Sequence, residues 1–309
     1  MRFADRFVEH VLRMLAFSSI MTLLAISFFI LREGAPLLFE VGLWNFLSTD
    51  WHPTAGRYGI AAMLVGSIAV TAGALAIGVP LGIACAVVLG EMSPPWLRLI
   101  LKPTIEILAG IPSVVYGFMG IVVVLPWIRQ HLGGPGASGL AGAIILGVMI
   151  LPTIIAISLD ALRAVPRSYR EGSLAMGATD WQTIWRVVLP AARSGILAGV
   201  ILGIGRAVGE TMAVVMVTGN AVQVPHSPLD PLRTLTANLA LEMAYAADDH
   251  RAALFATAIV LFLGIVLLNA LAGLVRGRRG RHGARSSRSR ATSSGRASAQ
   301  APAPSMVSR

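Results

Sequence analysis

Residues 194–218 read SGILAGVILGIGRAVGETMAVVMVT, an apolar run long enough to cross a lipid bilayer that nevertheless carries Arg206 and Glu210 near its middle. Directly before it, residues 160–193 form a polar, arginine-bearing segment that ends close to Leu189 and Pro190. Charged side chains inside a membrane helix are costly, and long loops between apolar runs usually have a function. Together the two stretches predict a transport subunit, in which the loop receives force from a partner and the helix offers a polar path to a solute.

Composition places the whole chain in a membrane. Of its 309 residues, 55% are hydrophobic and only 13% are charged, and the mean hydropathy is +0.74. These values lie far outside the range of water-soluble domains. Cys85 is the single cysteine, so neither an intrachain disulfide nor a cysteine-based zinc site can form.

The net charge of +10 is concentrated at the C-terminal end, which argues against a nucleic acid partner. The arginines of this tail are Arg276, Arg278, Arg279, Arg281, Arg285, Arg288, Arg290, Arg296 and Arg309. Serine, alanine, glycine and proline make up most of the rest, with almost nothing to bury. We therefore expect residues 276–309 to be disordered.

Six apolar runs each approach the roughly 20 residues that a bilayer core requires. The predicted spans are 14–31, 60–89, 104–126, 140–159, 194–218 and 252–275. Between the first two, residues 34–58 carry Trp44, Phe46, Trp51 and Tyr58, which favour the headgroup layer of a membrane. The fold class predicted is an all-α membrane protein with six transmembrane helices.

The distribution of positive charge predicts the orientation. If the N-terminus is cytoplasmic, most of the 25 lysines and arginines fall in inner segments. The outer ones are Arg32, Arg57, Arg129, Arg233 and Arg251. We expect both termini and the loop to be cytoplasmic, with three parts to the chain: residues 1–59, a permease domain over 60–275 that contains the loop 160–193, and the tail 276–309.

The sequence lacks the residues of an independent enzyme. Lys102 is its only lysine and precedes Pro103, so no nucleotide-binding P-loop exists and any ATP must be hydrolysed by another chain. The six histidines are scattered, without helical pairing. We predict no catalytic residue, no metal site and no cofactor.

Two features within the spans predict a polar path. Arg206 and Glu210 are four residues apart, so on a continuous helix they share one face and can neutralise each other. They are either a buried ion pair that only fixes packing, or a patch in which Arg206 binds anion oxygens in a bidentate manner. Around Gly110, Pro112 and Ser113 the sequence predicts either a broken helix whose new N-terminus attracts an anion or an ordinary proline kink.

The loop carries the pattern Glu171, Gly177, Leu189 and Pro190. Apolar residues recur beside it at helical intervals: Trp181, Ile184, Trp185 and Val188. An apolar face on the wet side of a membrane protein usually docks a partner, although it can instead cover the ends of its own helices.

This pattern resembles the coupling motif of ATP-binding-cassette importer permeases, E-A-A-x-x-x-G-x(9)-I-x-L-P, which grips the ATPase subunit. Gly172 and Ser173 replace the two alanines, and Val187 replaces the isoleucine. The runs LAGIPSVVYG at 108–117 and LGIGRAVGETMAV at 202–214 are similar to permeases of phosphate-specific (Pst) importers, of the PstC rather than the PstA type. The resemblance extends over about residues 42–275.

The resemblance implies a type I importer fold and a phosphate permease in the cell membrane. It also implies a PstA-like second permease, two copies of a PstB-like ATPase and a PstS-like external phosphate-binding protein. In that family the membrane arginine and glutamate are tied to phosphate passage, a role that falls by position on Arg206 and Glu210. Three alternatives remain open: another oxyanion such as sulfate or molybdate as cargo, a phosphate-sensing subunit, or a carrier that works without an ATPase.

Overall fold

The computed structural model describes residues 2–270 and residue 273, with side chains described from Phe7 onward. The tail 276–309 and the end of the sixth predicted span therefore lie outside the described residues. Contacts divide the chain into a unit that ends at Ile265 and a second unit that begins at Val266. The description below concerns the first unit; the described part of the second is the helical stretch 266–270 and Gly273.

Helices dominate the described chain. They are α1 Arg2–Val41, α2 Leu43–Phe46, α3 Ala61–Val87, α4 Pro95–Gly110, α5 Ser113–Met119, α6 Leu125–His131, α7 Gly139–Arg163, α8 Arg167–Ala175, α9 Asp180–Thr183, α10 Leu189–Gly209, α11 Met212–Val217, α12 Leu235–Glu242 and α13 Asp248–Ala270. Wider π-helical turns at Val88–Met92, Gly120–Val124 and Ile184–Val188 extend α3, join α5 to α6 and join α9 to α10. An antiparallel hairpin pairs β1 Trp51–His52 with β2 Arg57–Tyr58.

Among the described residues, six helical stretches are long and apolar enough to cross a membrane, which confirms the predicted fold class. They are Phe7–Val41, Ala61–Met92, Ser113–His131, Gly139–Arg163, Asp180–Gly209 and Asp248–Ala270. Three spans differ most from the prediction, and the fifth covers Asp180–Gly209 instead of 194–218. The first helix continues through Pro36, and the third spanning stretch begins only at Ser113, after the separate helix α4.

The centre of the unit is the contact between α3 and α7, and glycines bring the two helices close together. A Cβ added to Gly78 or Gly82 of α3 would lie within 2.8 Å of Ile150 or Ile154 of α7. On the other side of α7, Gly199 and Gly203 of α10 lie close to Ile157 and Ile154. Small residues at such positions let backbones approach and gain dispersion contacts, the main source of helix association in lipid.

The aromatic segment 34–58 consists of the end of α1, the short helix α2 and the β1–β2 hairpin. Residues 34–41 continue the helix, and Gly34 packs so closely on α13 that an added Cβ would lie 2.6 Å from the Ala256 nitrogen. Trp51 and Tyr58 are 5% and 7% exposed and pack with residues of α13. The hairpin folds these two rings onto the bundle, and of the four aromatic residues Trp44 alone is largely exposed.

The connection between the fifth and sixth spans contains the helix α12, most of whose residues are buried. Glu242 at its end is 7% exposed and accepts hydrogen bonds from Trp51 Nε1 (3.0 Å) and Arg233 Nη1 (2.5 Å), and pairs with His250 Nε2 (2.9 Å). Arg233 also donates to Asn238. Burial of a carboxylate is tolerated when it is paired and hydrogen-bonded in this way, so the network fixes α12 and the hairpin against α13.

Candidate functional site

The predicted third span, 104–126, is broken between α4 and α5. Pro112 cannot donate to the carbonyl of Leu108 and clashes with a continuing helix, and Ile111 is extended (φ −65°, ψ 129°). The hydroxyl of Tyr116 donates to the Leu108 carbonyl at 2.8 Å and replaces the lost bond. A new helix then starts at Ser113 without a side-chain cap. Of the two alternatives that the sequence left open, a broken helix and a proline kink, the structure has the broken helix.

A second break interrupts the predicted fifth span, 194–218. α10 ends at Gly209, Glu210 is extended (φ −71°, ψ 131°), and α11 begins at Met212. The Glu210 carboxylate accepts a hydrogen bond from the Ala213 amide at 3.1 Å, and its carbonyl accepts one from the Thr236 hydroxyl at 2.9 Å. The prediction of a continuous helix over 194–218 is therefore wrong, because α12 binds the backbone at the point where the helix opens.

The two breaks lie side by side. Gly117 packs against Ala213, and Gly120 packs against Val217. Ala109 and Arg206 are also in contact, and they are separated by nearly the same number of residues as these two pairs. The two crossings therefore run parallel in register, and the end of α4 meets the end of α10.

Arg206 lies at this junction. Its Nη2 donates to the Ala109 carbonyl at 3.5 Å, the long limit of a hydrogen bond. A cation is favourable there because the C-terminal end of α4 carries the negative end of the helix dipole. Within residues 7–270, the structure gives Arg206 no other hydrogen bond and no ion pair. Most donors of the guanidinium group are free for an anion.

The expected pairing of Arg206 with Glu210 is absent from the described part of the chain. The four-residue spacing places two side chains on one face only while the helix continues, and here it ends between them. Glu210 instead caps the start of α11. Arg206 and Glu210 therefore flank one junction without neutralising each other.

Glycines leave the backbone open around Arg206. A Cβ at Gly110, Gly205 or Gly209 would meet nothing within 4 Å, unlike at Gly199 and Gly203, which pack on α7. Helix packing therefore accounts for only part of the glycines of α10.

Sequence reasoning missed two polar residues near the junction. The hydroxyl of Thr236 in α12 donates to the Glu210 carbonyl. Because the two residues are 26 positions apart, no local sequence pattern predicts this contact. Glu106 of α4 is exposed, one turn before Ala109, with Lys102 Nζ at 3.9 Å. A carboxylate inside the apolar run 104–126 was a readable signal for Glu106.

The loop 160–193 folds as a helical hairpin. Gly177 has φ +84°, a left-handed conformation that glycine adopts without strain, and it ends the turn after α8. Thr179 and Gln182 form a reciprocal capping box that starts α9. The hydroxyls of Ser173 and Thr183 are 2.9 Å apart and join the two helices.

The predicted apolar face of this hairpin divides into two parts. Ile184 and Val188 are buried in the bundle core, so they cover the ends of the protein's own helices. Trp181 and Trp185 remain 59% and 62% exposed, with their rings stacked at 6.0 Å. This exposed aromatic pair is the part of the predicted face that is available to a partner.

The remaining residues of the loop pattern occupy distinct places. Glu171 is exposed on α8, without a hydrogen bond or ion pair in the described chain, and Leu189 and Pro190 begin α10.

Arg170 attaches α8 to the end of α3. Its Nε and Nη2 donate to the two carboxylate oxygens of Glu91 at 3.0 and 2.6 Å. The same guanidinium donates to the carbonyls of Val165 and Leu162. The hydrogen bonds with Glu91 raise the pKa of Arg170 above its ordinary value. The loop is thereby tied to two different spanning helices.

A comparison with protein families agrees with this architecture. The family described as binding-protein-dependent transport system inner membrane component matches residues 78–281. The chain is 49% identical to the probable ABC transporter permease protein YqgH of Bacillus subtilis over 201 residues, which cover 64% of this chain and 65% of that protein. It is 34% identical to the phosphate transport system permease protein PstC of Xylella fastidiosa over 280 residues, or 84% of this chain and 86% of that one.

Among solved structures, the fold is similar to a bacterial ABC transporter involved in the import of the acidic polysaccharide alginate. The TM-score is 0.55 at 15% identity, and the match covers 85% of this chain and 96% of the other. At this identity the likeness concerns the fold alone.

Proposed function

We propose that this chain, which belongs to the family of binding-protein-dependent transport system inner membrane components, is a permease subunit of an ATP-driven importer of inorganic phosphate. The phosphate permease of Xylella fastidiosa, similar over most of both chains, supports the choice of cargo. The observation that carries the proposal is Arg206, a cation held beside two helix breaks with most of its donors free.

The chemistry of the junction suits a phosphate ion. A guanidinium group presents paired donors that match two oxygens of a tetrahedral anion. The uncapped helix start at Ser113, and the open backbone at Gly110 beside Pro112, offer amide hydrogens and space on the same route. Glu210 keeps α11 in place. Its negative charge also weakens the binding of an anion at the junction, so that the anion can be released.

Energy would come from a partner ATPase, since the sequence contains no nucleotide-binding loop of its own. We assign the partner contact to five residues of the loop: Glu171, Gly177, Trp181, Leu189 and Pro190. All are exposed except Leu189, which is half-buried against the core. Nucleotide-driven closure of a PstB-like ATPase dimer would move α8 and α9 and, through Arg170 and Glu91, the end of α3. A PstA-like permease and a PstS-like binding protein would complete the complex.

This assignment places the loop and both termini in the cytoplasm and the β1–β2 hairpin outside. The three-part division at residues 59 and 275 remains part of the proposal. Labelling of single cysteines introduced at Ser168 and at Thr54, in a Cys85→Ser background, would test the orientation. Only the Thr54 site should react with an impermeant reagent in intact cells.

Replacing Arg206 tests the function directly. Arg206→Gln should abolish phosphate uptake in cells that depend on this importer, with assembly of the complex unchanged. Arg206→Lys keeps the charge but loses the paired donors and should retain only a small part of the uptake. The matched control is Arg193→Gln, an exposed arginine at the start of the same helix. Normal uptake by Arg206→Gln would refute the role of Arg206.

Competition defines the cargo. Excess unlabelled phosphate should suppress uptake, whereas sulfate and molybdate should not. Suppression by sulfate instead would keep the permease and replace its substrate.

A further inference from the structure

A pocket of about 520 Å³ lies between the end of α3, the start of α4 and the α7–α8 corner, away from the Arg206 junction. Its charged lining residues are Glu91, Arg98, Arg163, Arg167, Arg170 and Glu171. Nothing in the transport path or in the exposed aromatic face accounts for four arginines at one pocket.

The ion pairs of the pocket leave an excess of positive charge. Arg170 and Glu91 neutralise each other through the two short hydrogen bonds described above. In the part of the chain that the structure describes, Arg163, Arg167 and Glu171 have neither a hydrogen bond nor an ion pair. Three arginines, including Arg98, thus lie outside ion pairs and face one glutamate.

The hydrogen bonds of Arg98 are incomplete. Its Nη2 donates to the carbonyls of Gly90 and Ser93, but its Nε is buried without a hydrogen-bond partner. A buried donor without an acceptor is destabilising, and like charges around one pocket repel each other. The repulsion between the arginines would fall if an anion with several oxygen acceptors entered the pocket.

We propose that this pocket binds a phosphate-type anion, either the headgroup of an anionic phospholipid or free inorganic phosphate. Guanidinium groups recognise phosphate oxygens through paired, charge-assisted hydrogen bonds, which fits a pocket built from arginines and without lysine. Basic pockets beside spanning helices are typical binding places for lipid headgroups.

Each source has its own support. Trp96 and Leu99, next to Arg98 on α4, are 64% and 80% exposed and would accommodate acyl chains beside a bound headgroup. The free-phosphate source rests on the proposed function, because the pocket would then meet imported phosphate on the cytoplasmic side. Imported phosphate bound in this pocket would slow further transport.

The test uses the full chain, purified with its partner subunits in nanodiscs. Arg163→Gln and Arg167→Gln are combined, because neither side chain has a partner whose loss would disturb folding; Arg193→Gln is the control. In the lipid arm, the nanodiscs contain phosphatidylcholine and phosphatidylglycerol, and native mass spectrometry counts the retained phosphatidylglycerol. In the phosphate arm, the nanodiscs contain phosphatidylcholine alone, and equilibrium dialysis measures binding of labelled phosphate in an Arg206→Gln background that disables the proposed path.

We expect one arm to show a site that the control keeps and the double variant loses, with affinity reduced about tenfold for each arginine removed. Loss of retained phosphatidylglycerol identifies the lipid source, and loss of phosphate binding identifies the free ion. Equal binding by the double variant and the control in both arms would overturn the proposal. The proposal would also be overturned if the double variant kept its binding of phosphatidylglycerol and phosphate but no longer purified with the ATPase subunit. The arginines would then form a contact between proteins. If the proposed function failed in uptake assays, the lipid arm would still report on the pocket.

Discussion

Replacing Arg170 by glutamine should destabilise the protein by detaching α8 from the end of α3. The arginine makes two hydrogen bonds to the Glu91 carboxylate, at 3.0 and 2.6 Å, and two more to backbone carbonyls. Its side chain is 23% exposed and that of Glu91 is 11% exposed. The pair is therefore sheltered from water but not fully buried.

The size of the effect follows from that intermediate burial. Removal of one partner from a fully buried pair costs about 3–5 kcal/mol, whereas an exposed pair contributes about 0–1 kcal/mol. We expect Arg170→Gln to lower the free energy of unfolding by about 2–3 kcal/mol. Glu91→Gln should cost less, because Arg170 keeps its carbonyl acceptors, and the coupling energy between the two substitutions should be about 1–2 kcal/mol.

A double-mutant cycle measures this coupling. The four proteins are wild type, Arg170→Gln, Glu91→Gln and the double variant, each unfolded reversibly by denaturant in the same mixed micelles. Arg193→Gln, whose exposed side chain has no partner in the described chain, should change stability by less than about 0.5 kcal/mol. Arg170→Lys should recover only part of the loss, since an ammonium group cannot form the paired bonds. A coupling energy near zero, with additive single effects, would refute the claim that this pair joins the loop to α3.

Three further substitutions test other parts of the fold. Gly78→Ala should destabilise by about 1–3 kcal/mol, because the added Cβ would lie 2.8 Å from Ile150; Gly205→Ala, which meets nothing within 4 Å, should be neutral or slightly stabilising in the same unfolding assay. Glu242→Gln should cost about 2–4 kcal/mol, because Arg233 loses its anionic partner in a buried network; a loss under about 0.5 kcal/mol would contradict that network. Trp181→Ala should leave stability within about 0.5 kcal/mol of wild type but reduce ATP-dependent uptake, measured in vesicles; unchanged uptake would remove Trp181 from the proposed ATPase contact.

Local sequence was enough for every feature that depends on neighbouring residues. Hydropathy and length alone determined the six spanning stretches, since crossing lipid requires roughly 20 apolar residues in one run. Pro112 indicated a break or a kink before α5, because it lacks a backbone donor. Pro36 lies inside a continuous helix, so packing decided between the two.

Tertiary structure decided which groups meet. The break after Gly209 leaves no local signal, because it depends on Thr236 binding the Glu210 carbonyl from another element. That break in turn determines that Arg206 contacts the end of α4 rather than Glu210. Arg170 and Glu91 are 79 residues apart, so no spacing rule relates them. A helix or a turn follows from interactions within a few residues, whereas the partner of a buried charge depends on which distant segments pack around it.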